Sequence, residues 1–378
     1  MGPRSAALVE RAEALFPGGV NSPVRAFRAV GRSPLVLERG EGPYVWDVDG
    51  RRHVDYIGAW GPAILGHAHP AIVEAVAGSA RNGFAFGATN PLEIELAETI
   101  RRAMPSMERL RFTSSGTEAV MSALRVARAA TGRDLVVKFA GAYHGHSDGL
   151  LVEAGSGLAT QAIAGSAGVP AAVAATAMVL PYNDRAAVTR AFAAQLGRIA
   201  AVVVEPVVAN AGVIPPLPGY LEHLCEVTHA DGALLVFDEV ITGFRLGRGG
   251  AQARFGVTPD LTTLGKIIGG GMPIGAYGGR ADLMNLVAPA GPVYQAGTLS
   301  GHPLSMAAGI ATISELDDVR YAALEESAEV LATGLTEAAA SAGREVALAR
   351  VGSLLTVFFQ PTPPVDAREA FGSDRSAY

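Results

Sequence analysis

Three short stretches of the sequence combine residue types that can do chemistry together. Phe112-Thr113-Ser114-Ser115-Gly116-Thr117-Glu118 runs from an apolar segment into a helical pattern. Gly116 lets backbone approach a ligand, Ser115 and Thr117 bring hydroxyls, and a helix N-terminus favours an anion, so the stretch can cup a phosphate. No Gly-Lys-Ser/Thr follows, which excludes a Walker loop. Alone, the stretch reads more simply as a Ser/Thr helix cap. Leu234-Leu235-Val236-Phe237-Asp238-Glu239 ends a strongly apolar run in carboxylates. A carboxylate buried there is costly unless a cation meets it. Asp238 therefore reads as a structural ion pair or cap, or as the partner of a protonated ring nitrogen. Asp260-Leu261-Thr262-Thr263-Leu264-Gly265-Lys266 ends a further apolar run in a lysine, with a Gly-rich turn after it. Desolvation lowers an amine pKa and makes it a Schiff-base nucleophile. The chain has two lysines, Lys138 and Lys266, among 30 basic residues, so amine chemistry has only two candidates. For either alone, a snorkelling or ion-paired side chain is the plainer reading.

Together the three change the balance. A phosphate cup, a buried aspartate and a lysine at successive strand ends are what pyridoxal phosphate needs. The phosphate anchors the cofactor, Asp238 holds the pyridinium proton, and Lys266 bonds the aldehyde carbon. Gly141-Ala142-Tyr143-His144-Gly145 adds Tyr143, an aromatic able to stack on the ring.

The elements that must position these residues follow from periodicity. Apolar runs at 110–112, 135–139, 201–205 and 234–238 fit strands buried on both faces, with helical patterns at 117–130 and 221–230 between them. Helices are expected at 70–78 and 91–104, each with Pro at the first turn. The alternation predicts an α/β fold with a mostly parallel, doubly wound sheet. An N-terminal helix over 1–16 and a strand and Asp-Gly turn at 43–50 start a smaller α+β domain. A helix at 321–342 and a strand at 353–359 return to it. The expected division is 1–65 for the N-terminal part of the small domain, 66–305 for the large cofactor domain and 306–378 for the C-terminal part. The Gly/Ser/Ala-rich stretch 154–169 reads as a surface loop or lid. Residues 371–378 read as loop that closes no element, so the last unit looks unfinished.

Composition sets the outer limits. Hydrophobic residues make up 49% and charged residues 17%, too apolar for a disordered chain. A net charge of −6 argues against a nucleic-acid or anionic-membrane partner. The longest apolar run, near 169–180, is too short to span a bilayer. A single Cys225 fits a reducing, cytoplasmic setting. His67, His69, His144 and His146, with Asp238 and Glu239, suggest a rival metal hydrolase. Histidines two apart share a face only on a strand, and the Gly, Ala and Pro around them indicate turns, so no metal is expected.

The run from Val236-Phe237-Asp238-Glu239 through Gly243-Phe244-Arg245 to Gly265-Lys266 resembles the class III pyridoxal-phosphate aminotransferases of fold type I. Within that family, Phe16-Pro17-Gly18-Gly19-Val20-Asn21-Ser22-Pro23-Val24-Arg25, Trp60-Gly61-Pro62, Glu205-Pro206-Val207 with Asn210, and Gln295–Gly301 are similar to the glutamate-1-semialdehyde 2,1-aminomutases. The resemblance implies conversion of glutamate 1-semialdehyde to 5-aminolevulinate for tetrapyrroles, using pyridoxal 5′-phosphate and pyridoxamine 5′-phosphate. A related ω- or β-amino-acid aminotransferase is the alternative. It further implies that Lys266 anchors the cofactor and carries protons, Asp238 pairs with the ring nitrogen, Asn210 lies near the ring 3-oxygen and Tyr143 lies against the ring. Ser115, Gly116 and Thr117 would bind phosphate, joined by Thr298 from the other subunit of a homodimer. Ser22, Arg25 and Trp60 would face a small-molecule substrate, Arg25 holding its carboxylate, with Ser156 in a gating loop. His302 and Ala209 stand where Asn and Gly are usual. The resemblance also implies a further segment beyond Tyr378 that completes the small domain.

Overall fold

Unbroken Val, Ile and Leu runs are what strands covered on both faces require, and in the computed structural model they line up side by side. The structure describes residues 1–153 and 163–374. The N-terminal helix Pro3–Leu15 leads to a three-stranded antiparallel sheet of β1 (Leu37–Glu41), β2 (Tyr44–Asp47) and β3 (Arg52–Val54). Asp49, in the β2–β3 turn, accepts from the Arg4 amide at 3.0 Å and so caps that helix. Then come β4 (Arg109–Thr113), β5 (Leu135–Phe139), the short pair β6 (Val152–Glu153) and β7 (Ile163–Ala164), and β8 (Ala177–Leu180). They are followed by β9 (Ile199–Val204), β10 (Leu234–Asp238), β11 (Leu261–Gly265) and β12 (Gly275–Gly279). The terminal hairpin is β13 (Ala347–Val351) with β14 (Leu354–Phe358).

Seven strands form one sheet in the order β4-β12-β11-β10-β9-β5-β8. All pairings are parallel except those of β12, which runs antiparallel to both neighbours. The C-terminal ends of β4, β5, β9, β10 and β11 therefore share one edge, the edge where open α/β sheets bind ligands. Alternate residues serve the two faces. Val137, Phe139, Val202, Val204, Leu235 and Phe237 pack on helix Tyr220–Asp231. Val136, Ala201, Val203, Val236 and Leu261 pack on helix Gly116–Thr131. The mostly parallel α/β sheet is as the alternation predicts, and 135–139 and 234–238 are strands over those residues.

The differences have local causes. β12 (Gly-Ala-Tyr-Gly-Gly) carries no strand signal, because its glycines answer to their neighbours: a Cβ on Gly275 would lie 2.1 Å from the Ser115 carbonyl oxygen. The expectation that 371–378 closes no element is corrected in part. Phe371 and Gly372 end a helix, Ala367–Gly372, whose Asp366 cap accepts from the Glu369 amide at 2.8 Å while Ala367 and Ala370 are buried. Ala349, Val351, Phe358 and Ala370 belong to the same apolar cluster as β5, β9 and β10. No helix among the described residues is long and apolar enough to cross a membrane.

Glu239, just past β10, is fully buried and orders the next turn. It accepts from the Thr242 hydroxyl at 3.0 Å, the Ala251 amide at 2.6 Å, and the Gln252 amide and side chain at 3.3 and 3.0 Å. Glu239→Ala strands two buried amides at roughly 1–3 kcal/mol each. A fall in melting temperature of at least roughly 2 °C is expected; an unchanged melting temperature would show that the carboxylate does not hold this turn.

Candidate active site

The strand edge gathers a cluster of acids and amines. Asp238 ends β10 with 3% exposure, opposite Thr263 of β11. One carboxylate oxygen accepts from the Val240 amide at 3.1 Å and the Thr263 hydroxyl at 3.2 Å. The other lies 2.7 Å from Nδ1 of His144, a ring only 1% exposed. A carboxylate accepts, so Nδ1 carries the proton. Nε2 of His144 is buried with no partner among the described residues.

Lys266 follows β11 in a left-handed conformation, φ 49°. Its half-buried amine has no hydrogen bond or ion pair among the described residues. Burial pushes the amine pKa down, while the charges of Asp238 and Glu205 pull it back. The side chain runs beside backbone: a Cβ on Gly61 would stand 3.1 Å from Lys266 Cδ. Lys138, the competitor, is buried in β5 and donates to the Leu150 carbonyl at 3.0 Å, a structural role.

Glu205, one residue past β9, sits between these strand ends with 3% exposure. It accepts from the Tyr143 amide at 2.7 Å and from the Ala209 amide at 3.1 Å, pinning the loops that carry Tyr143 and Asn210. Burial first, then the Asp238 charge, raises its carboxyl pKa to about 8, against the amide bonds and Lys266, which lower it. Tyr143 itself is 51% exposed. Asn210 is exposed, in a bridge to Gly212.

The cup has its expected form. Ser115 caps the helix Gly116–Thr131 by accepting from the Glu118 amide at 3.2 Å, which leaves its hydroxyl proton free to donate. Gly116 opens the first turn, and the Thr117 hydroxyl lies 3.2 Å from His146 Nδ1. Ser22 precedes the short turn Pro23–Ala26, which exposes Arg25 with no side-chain partner among the described residues. Trp60 is 56% exposed. Thr298 is exposed in the turn at 298–300, with no hydrogen bond to the cup of its own chain. Ser156, with the stretch 154–162 of the expected loop, lies outside the described residues.

Of the residues of the rival metal reading, His144 and Asp238 meet, and the others have separate partners. His67 pairs with Asp55 at 2.7 Å, His69 stands just ahead of helix Pro70–Ala80, His146 meets Thr117, and Glu239 holds its turn. No metal-holding cluster lies among the described residues. His144 and Glu205 entered the sequence reading only as a candidate metal ligand and as part of a motif. A carboxylate ending the apolar run Ala200-Ala201-Val202-Val203-Val204 is the same signal that exposed Asp238. These residues fit pyridoxal phosphate: an unpartnered amine, a carboxylate oriented by a buried histidine, and a capped sixteen-residue helix.

The fold and the site together define a pyridoxal-phosphate enzyme of fold type I. The family model for aminotransferase class III matches residues 27–369. The chain is 57% identical over 376 residues to a glutamate-1-semialdehyde 2,1-aminomutase of Sorangium cellulosum (strain So ce56), covering 100% of this chain and 86% of the relative. It is equally identical over 376 residues to that of Roseiflexus castenholzii (strain DSM 13941 / HLO8), covering 99% and 87%. Among solved structures, an ω-transaminase from Sphaerobacter thermophilus matches with TM-score 0.91 at 37% identity, covering 98% of this chain and 85% of the other. A glutamate-1-semialdehyde aminomutase from Pseudomonas aeruginosa PAO1 in complex with PMP matches with TM-score 0.88 at 28% identity, covering 98% and 83%. The chain belongs to the class III aminotransferase family.

Glu205 gives a pH signature. An unfolded glutamate titrates near 4.5, while the folded one holds its proton to about 8. The stability it supports is complete below 4.5 and is lost as pH rises through about 8. Glu205→Gln cannot ionise. Melting of cofactor-free protein between pH 5 and 8.5 is therefore expected to fall more steeply in wild type than in the variant; parallel slopes would refute the buried, proton-holding state.

Proposed function

We propose that the protein isomerises (S)-4-amino-5-oxopentanoate, glutamate 1-semialdehyde, to 5-aminolevulinate in tetrapyrrole synthesis. The reaction moves an amino group between adjacent carbons and leaves the atom count unchanged. The observation that carries the reaction class is the unpartnered Lys266 amine facing Asp238 and Glu205 at the sheet edge. The choice of substrate is supported by the names of the relatives that match at 57% identity across the chain.

When bound, pyridoxal phosphate or its amine form supplies an electron sink and an amino-group carrier. Asp238, oriented by His144 and Thr263, holds a proton on the ring nitrogen. Lys266 would hold the cofactor through its free amine and would then carry protons to and from the substrate. Ser115, Gly116 and Thr117 grip the phosphate at the helix N-terminus. Tyr143 would help hold the ring, and Asn210 would help hold its polar edge. Arg25 grips the substrate carboxylate in a two-pronged bond that lysine cannot copy. Ser22 and Trp60 would wall that side.

A homodimer completes this reading. Thr298, exposed on its own chain, would reach the phosphate of a second copy. A cytoplasmic setting suits a chain with a single cysteine. The likeness to an ω-transaminase supports a second reading, in which a separate keto acid takes up the amino group. Cofactor-loaded enzyme given glutamate 1-semialdehyde and no amino acceptor is expected to release 5-aminolevulinate, with Lys266→Ala inactive. A requirement for a 2-oxo acid would overturn the isomerase in favour of the transaminase.

A further inference from the structure

Seven non-glycine residues among those described have positive φ, and four of them meet at one place. Ala59 and Trp60, φ 54° and 65°, lie in an unbroken left-handed run from Gly58 to Gly61; Phe244 has φ 56° and Lys266 φ 49°. Such backbone is unfavourable for residues with a Cβ and persists only where neighbours over-determine it. Here the neighbours can be named. The Asp55 carboxylate accepts from the Ile57 and Gly58 amides at 2.8 and 3.1 Å and is steadied by His67. At the other end of the run, Arg245 Nη2 donates to the Gly61 carbonyl at 2.7 Å. Gly61 in turn lies against the Lys266 side chain.

Arg245 has no ion pair among the described residues. Burial, against a small opposing contribution from Tyr321, lowers its pKa to about 10. Its own turn is fixed from behind, by the Glu239 network and by the Tyr321 hydroxyl, which donates to the Phe244 carbonyl at 2.8 Å. A half-buried guanidinium committed to a carbonyl is an expensive cap for an ordinary turn. It is economical if that turn must sit at a fixed height over the reacting amine.

We propose that Arg245 is a positioning residue: by holding the Gly61 carbonyl it keeps the strained run 58–61, and Trp60 with it, against the side chain of Lys266. The contact joins segments 184 residues apart in the chain. It deepens the aminomutase reading, on which only its substrate-affinity readout rests.

The test uses the two tryptophans, Trp46 and Trp60. In cofactor-loaded Trp46→Phe enzyme, Trp60 is the sole reporter, and its quenching by acrylamide reads the position of the run whatever the substrate proves to be. Arg245→Met keeps the apolar stem and removes the donor. It is expected to raise the quenching constant, and to raise KM for glutamate 1-semialdehyde by roughly tenfold, the worth of one charge-assisted hydrogen bond. Arg245→Lys, with a point donor instead of a planar fork, is expected to raise both by less, and it decides the matter if Arg245→Met does not fold. A lower melting temperature with quenching and KM both unchanged would reduce Arg245 to a structural cap and overturn the proposal. A changed quenching constant in an enzyme that does not turn over glutamate 1-semialdehyde would keep the positioning role and refute the substrate.

Discussion

A carboxylate buried at the end of a parallel strand is the constraint to which the rest of the site answers. Asp238 is taken out of water by β9 and β11 on either side, and a charge placed there is tolerable only if every lone pair has a partner. Thr263 and the Val240 amide satisfy one oxygen and His144 the other. His144 comes from the loop after β5, two strands away in the sheet, so its reach fixes how that loop crosses the edge and where Tyr143 emerges. Nε2 of His144 and the amine of Lys266 are left without a partner among the described residues.

The same edge carries more charge than one carboxylate. The Asp238 charge raises the cost of ionising Glu205, while Lys266 lowers it. With both acids charged and no cation near, the site would be unstable; the same acids help each lysine keep its proton, against the burial that favours the neutral amine. The balance leaves one lysine fastened to a carbonyl and the other free. Geometry separates the two, since Lys138 points from the middle of a strand and Lys266 stands past the end of one, on a left-handed residue that turns the chain.

Much of this was legible in the residues. The strands at 135–139 and 234–238 declare themselves because both faces are apolar, and Asp238 and Lys266 stand out because polar residues end such runs. What the sequence hides depends on which strand ends become neighbours. His144 looks like a metal ligand until β5 is placed beside β9, and the Gly275–Gly279 strand looks like a loop until Ser115 is placed against it. The tie from Arg245 to Gly61 has no periodicity to betray it. Arg25, Asn210 and Thr298 owe their assignments to the family resemblance, since a single chain without its ligands leaves them exposed.

The decisive quantity is the protonation state of the cofactor's ring nitrogen, because Asp238 and its three partners exist, on this account, to hold one proton there. Enzyme loaded with cofactor labelled with nitrogen-15 in the ring reports it directly by NMR. The expected result is a pyridinium shift in wild type that moves to the neutral-pyridine position in Asp238→Asn, with the cofactor still bound. A neutral nitrogen in wild type, or a pyridinium that survives the substitution, would contradict the role given to Asp238.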